Sequence, residues 1–260
     1  MAIVIPIVNQ KGGVSKTSTC VNLGIGLARR GKKVLVVDAD SQGSLTACLG
    51  FGQSKDLPGT LASIMSKVIC EMPIDPEEGV LHHNEGVSLL PADADLASME
   101  MKLVTVMSRE TILREYINLV RPDYEYILID CQPSLGMITI NALAAGDSII
   151  IPVQAEYLAA KGLEQLLKTI SHIRRRINTH LNISGILMTM VNERTNDARD
   201  IIDSVKKAYG AQIHIYTSIP RSVKISEVSK LGMSIYAYAP SSKVAEAYDT
   251  LTNEVLAYEK

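Results

Sequence analysis

Lys11, Gly12, Gly13, Ser15, Lys16, Thr17 and Ser18 lie in one short stretch that directly follows the apolar run 2–8. Lysines, glycines and hydroxyls at that spacing fit the holding of a phosphate chain. A glycine-bearing loop between a strand and a helix turns its backbone N–H groups inward, and the helix N-terminus adds the positive end of its dipole. In such a loop Lys16 reaches the β- and γ-phosphates and the Thr17 hydroxyl binds Mg²⁺. The usual pattern, G-x-x-x-x-G-K-[ST], is not met in full. Gln10 stands where the first glycine belongs and Ser15 where the second does, and Lys11 adds a second lysine at the head of the loop.

Two acidic strand ends complete the set. The apolar run 34–37 leads into Asp38-Ala39-Asp40, and the run 126–129 leads into Asp130-Cys131-Gln132-Pro133. In an open parallel sheet ligands bind beyond the carboxyl ends of the strands, so these aspartates converge on the place where the loop holds phosphate. Asp130 is the candidate to hold a water on Mg²⁺. Asp40 is the candidate to position or activate an attacking water.

With these residues in order, the chain resembles the ParA/MinD group of deviant-Walker ATPases, and within it the small Soj-like ParA proteins. The resemblance runs nearly end to end, through 9–18, 34–43, 126–136, 141–154, 190–196 and 219–228. It implies an ATP- and Mg²⁺-dependent ATPase that dimerises around two nucleotides, binds DNA without sequence preference in that state, and releases it after hydrolysis. It further implies a ParB-like stimulating partner carrying an Arg in its N-terminal segment. By resemblance, Lys11 reaches the partner protomer's nucleotide, Asp40 is tied to hydrolysis, and Pro220 lies against adenine, with Ser222 where relatives often have Asn. Arg194 and Lys224 match basic DNA-contacting positions.

This sequence departs from the family at Ser15, in place of Gly, and at Ser41 and Gln132, in place of prolines. Ser15 is the serious one. Glycine there allows a positive φ with no Cβ near phosphate, and a non-glycine residue held left-handed costs about 1–2 kcal/mol. An alternative is therefore a non-enzymatic switch, in which Ser15 impairs turnover and ATP binding alone drives dimerisation and DNA binding.

The elements that must position these residues alternate along the chain. Strands are expected over 3–8, 34–37, 87–90, 126–129, 148–151, 183–190 and, weakly, 213–216. Helices are expected over 16–30, 109–120, 137–145, 162–177, 198–209 and 241–258. Near-continuous apolar strands separated by helices indicate a mostly parallel sheet covered on both faces. The expectation is one α/β P-loop NTPase domain over residues 1–260. Residues 52–86 read as the least regular part, and His82-His83 there as solvated loop residues rather than metal ligands.

Composition narrows the function classes. The 260 residues are 47% apolar, with ten Tyr, one Phe and no Trp, so the core is expected to be aliphatic. Cys20, Cys48, Cys70 and Cys131 show no metal-ligand spacing, which reads as free thiols in a reducing cytoplasm and gives no support to an iron–sulfur reductase. The start of the chain lacks a basic leader, and no apolar run reaches the length of a membrane span. With the first strand opening at Ala2, no room is expected for a preceding helix-turn-helix, so DNA binding should be nonspecific and nucleoid-associated. The net charge of −2 divides unevenly: residues 161–260 hold fourteen Lys and Arg against ten Asp and Glu. A basic surface is therefore expected there, from 174–176, Arg194, Lys206, Lys207, Arg221, Lys224 and Lys230. A membrane-positioning role of the MinD kind would need a basic amphipathic tail, and 243–260 is acidic instead.

Overall fold

The computed structural model describes residues 1–52, 57–156, 159–192 and 195–258. Its strands are β1 (Ile3–Ile7), β2 (Val34–Ala39), β3 (Leu81–His82), β4 (Val87–Leu90), β5 (Tyr126–Cys131), β6 (Ser148–Gln154), β7 (Asn182–Thr189) and β8 (Ile215–Tyr216). Its helices are α1 (Lys16–Ala28), α2 (Ser44–Cys48), α3 (Leu61–Ile69), α4 (Asp95–Leu103), α5 (Ile112–Val120), α6 (Met137–Ala145), α7 (Ala159–Arg176), α8 (Asn196–Tyr209), α9 (Val223–Leu231), α10 (Ile235–Tyr238) and α11 (Lys243–Tyr258).

The strands form one sheet in the order β3-β4-β2-β5-β1-β6-β7-β8, parallel throughout except for β3 against β4. Successive residues of a strand face opposite sides. Leu35 and Val37 accordingly join one core and Val34 and Val36 the other. Helices α3–α8 cover the first face, and α1, α2 and α9–α11 the second. Both faces being buried explains why the strands read as unbroken apolar runs. Helix α1 lies directly on the sheet: a Cβ at Gly24 would come within 2.9 Å of Val36 Cγ1.

Several boundaries differ from the sequence reading. Residues 61–69 form α3, opened by a capping box between Thr60 and Ser63, inside the segment expected to be irregular. The antiparallel β3 was not anticipated, because two residues carry no readable period. His83 is buried, with Nε2 3.1 Å from the Gly232 carbonyl, rather than solvated. Strand β5 runs two residues past the expected end because its ladder with β2 continues through Asp38–Asp130 and Ala39–Cys131. The acidic tail helix α11 buries Val244, Tyr248, Leu251 and Val255 in the second core, so its apolar face is already covered.

Candidate nucleotide site

The loop after β1 is fastened at both ends. Asn9 Nδ2 donates to the Pro152 carbonyl at 2.6 Å, while its Oδ1 accepts the Lys11 N–H at 2.9 Å. Farther along, the buried Thr189 hydroxyl donates to the Val14 carbonyl at 3.1 Å. The loop is thereby tied to β6 and β7 and delivered to the N-terminus of α1. Ser15 takes the N-cap position with φ 66° and ψ 29°, the left-handed conformation that makes glycine the usual residue here. Met190, at the end of β7, is also left-handed with φ 53°. Two such non-glycine residues at one cleft are the kind of strain that collects at functional sites.

Lys16 is 7% exposed, and its Nζ donates to the Lys11 carbonyl at 3.2 Å. Burial lowers its pKa, against the opposing pull of Asp130, Cys131 and Asp40. Asp130 is buried, and neither carboxylate oxygen makes a well-formed hydrogen bond, the Thr17 hydroxyl giving only a weaker one. Burial first, then the Asp38 carboxylate on the adjoining strand, pushes its pKa up to about 8, while Thr17 and Lys16 pull it down. A buried carboxylate without compensation is costly. One carboxylate and one hydroxyl, with no soft ligand, suit a hard oxygen-preferring cation such as Mg²⁺, which shares its sphere with phosphate rather than a closed protein cage. Consistent with that, no group of three or more His, Cys, Asp or Glu able to hold a metal occurs among the described residues.

Asp38 is a site residue that the sequence reading quoted but did not assign, although an Asp-x-Asp at a strand end was its signal. Its Oδ2 accepts the Thr46 N–H at 2.8 Å and the Thr46 hydroxyl at 2.7 Å, and its Oδ1 accepts the Asp40 N–H at 3.2 Å. Burial raises its pKa to about 6 despite those bonds. Asp38 thus fixes the turn that carries Asp40, whose own carboxylate accepts the Gln42 N–H at 3.0 Å.

Gly12, Gly13, Ser15, Lys16, Thr17, Ser18 and Asp40 line one cavity of about 290 Å³, with Pro133 and residues of α9 on its far wall. A second cavity of about 200 Å³ is lined by Ile219, Pro220, Ser222 and Tyr248 and shares Ser15, Met190, Ile225 and Ser226 with the first. A phosphate cradle therefore opens into a cleft walled by the 219–226 segment. That segment is held to β7 by Ile219 N–H on the Met188 carbonyl at 2.8 Å and Arg221 N–H on the Val191 carbonyl at 3.0 Å. The Ser222 hydroxyl accepts the Lys224 N–H and so caps α9, leaving the Lys224 side chain exposed. Lys11 is not drawn into the cavity: its Nζ sits 2.5 Å from Glu156 Oε2. Arg194 lies outside the described residues.

A family model described as an AAA domain matches residues 2–183. The chain is 44% identical over 257 residues to the sporulation initiation inhibitor protein Soj of Bacillus subtilis, covering 99% of both chains. The chain belongs to the ParA/MinD family of ATPases. It is 35% identical over 259 residues to the chromosome partitioning protein ParA of Caulobacter vibrioides, covering 99% of this chain and 95% of that one. Among solved structures it resembles a cobyrinic acid a,c-diamide synthase from Mycobacterium smegmatis with bound ATP analogue and magnesium, at 33% identity and a TM-score of 0.86 over 100% of this chain and 96% of that one. Ser15 holds a left-handed backbone in the phosphate loop of this ParA/MinD chain.

Proposed function

We propose that this chain, acting as one domain over residues 1–260, binds ATP with Mg²⁺, dimerises around it, binds DNA nonspecifically in that state and lets go after hydrolysis, as a partition ATPase. The observation that carries this reading is the buried, poorly hydrogen-bonded Asp130 carboxylate interacting with Thr17 and Lys16, which themselves line a glycine-bearing cradle. The loop N–H groups and Lys16 hold the phosphates, and Ser18 adds a hydroxyl. Thr17 and Asp130 would hold Mg²⁺, which would neutralise phosphate charge. Asp40 orients the attacking water, and the 219–226 wall receives the base against Pro220 and Ser222. Lys11 leaves Glu156 to reach the partner protomer's nucleotide. Arg194 and Lys224 contact DNA phosphates, a ParB-like partner stimulates turnover, and the protein works in the cytoplasm on the nucleoid.

The strained Ser15 favours a second reading, in which ATP binding operates the switch with little hydrolysis. ATP turnover with and without nonspecific duplex DNA, using Lys16→Ala as the blank, separates the two. The expected result is turnover above the blank, raised by DNA and raised again by Ser15→Gly, about tenfold if some 1.4 kcal/mol of strain falls on the transition state. ATP binding with no turnover in the native chain, restored by Ser15→Gly, establishes the binding switch. No turnover in either chain defeats the enzymatic reading.

A further inference from the structure

Helix α6 begins immediately after the Asp130 loop, yet nothing in its own sequence caps it. The N-cap residue is Gly136, with no side-chain cap bond. The missing acceptor comes from α4. Glu100 Oε2 accepts the Met137 N–H at 2.8 Å, and Oε1 accepts the Ile138 N–H at 3.2 Å and the Gln132 Nε2 at 2.7 Å. One carboxylate thus grips both ends of the segment 132–138. The fit leaves no spare room: a Cβ on Gly136 would lie 2.3 Å from Glu100 Oε1. Within the segment, the Thr139 hydroxyl closes the turn by donating to the Ser134 carbonyl at 2.7 Å. Pro133, one residue past the gripped Gln132, lines the phosphate cavity beside Gly12, where a Cβ on Gly12 would lie 3.9 Å from Pro133 Cβ.

We propose that Glu100 is a positioning residue for the nucleotide site: by holding Gln132 and the start of α6 it sets where the Asp130–Pro133 strand end meets the phosphate loop. The inference rests on the ATPase reading above. A carboxylate with three donors is a strong, directional anchor, since charge-assisted hydrogen bonds are shorter and stronger than neutral ones. Asp130 is held from behind by the β-ladder, and Glu100 holds the loop from its far side. A cap serving helix stability alone would have no use for the Gln132 arm.

The test is steady-state ATP turnover of the full chain alongside nucleotide affinity, with amide hydrogen exchange at Met137 and Ile138. Glu100→Ala is expected to lower kcat by about tenfold or more, the usual scale for losing an outer-shell support, with ATP affinity little changed and exchange at both amides accelerated. Gln132→Ala should lower kcat by several-fold with the amides still protected, and adding it to Glu100→Ala should cost nothing further, because both act through one contact. Native kcat in a folded Glu100→Ala chain overturns the proposal. Should that variant not fold, native kcat in Gln132→Ala overturns it instead. If the native chain itself shows no turnover above Lys16→Ala, the ATPase reading fails first and takes this inference with it.

Discussion

At the scale of single residues, the site is built from groups held against their own preference. Asp130 keeps a carboxylate where burial and the Asp38 charge oppose ionisation. Its folded pKa of about 8 lies above the 3.8 of a free aspartate, so between those values the native state holds a proton that the unfolded chain has lost. Stability of the nucleotide-free chain therefore falls as pH rises through that window, by up to about 1.4 kcal/mol per pH unit. Asp38 adds a similar slope only up to about 6, so above that pH the slope is attributed chiefly to Asp130. Urea unfolding in EDTA across that range should show the slope in the native chain and its loss in Asp130→Asn, which is the more stable protein at pH 8. Equal slopes in both would remove Asp130 as the source. The chemistry-bearing residues were legible because residue type and spacing constrain phosphate loops tightly. The left-handed backbone at Ser15 was foreseen only as a consequence of missing glycine, whereas that of Met190 left no trace in the sequence, since φ there is imposed by the chain on either side.

At the scale of elements, two helices take their caps from neighbours. Glu100 of α4 caps α6, and Asn141 of α6 in turn accepts the Leu113 N–H at 3.0 Å at the start of α5. The Asn141 amide also donates to the Arg109 and Met137 carbonyls at 2.7 and 2.9 Å. This is why α5 begins at Ile112 and not at Arg109 as the sequence pattern has it: the stop signal sits on another helix. The core strands, by contrast, were readable because burial on both faces writes itself into unbroken Val, Ile and Leu. Asn141→Ala leaves buried backbone groups unpaired at both helices and should destabilise the fold by about 1–3 kcal/mol. Chemical denaturation measures it; a loss below 0.5 kcal/mol, an order-of-magnitude floor for one buried hydrogen bond, would mean that water replaces the amide.

At the scale of the whole molecule, the described basic residues of the C-terminal part stand at the surface. The described basic side chains Arg174, Arg175, Arg176, Lys206, Lys207, Arg221, Lys224 and Lys230 are exposed, on a chain whose net charge is −2. The net charge therefore gives no overall attraction to DNA, and the DNA binding proposed above would have to rest on local contacts. With ATP present, log K for duplex DNA should fall with log salt by about 0.9 per phosphate contacted, and Lys224→Ala should flatten that slope while leaving ATP affinity unchanged. An unaltered slope would take Lys224 off the DNA surface. The sheet adds a constraint of a different kind. Its two margins, β3 and β8, are each only two residues long, and β3 runs against the grain of the rest. Margins that short offer almost no ladder for a neighbouring chain to extend. Strand-upon-strand self-association, a form of aggregation that does not readily reverse, therefore has little to build on at either margin.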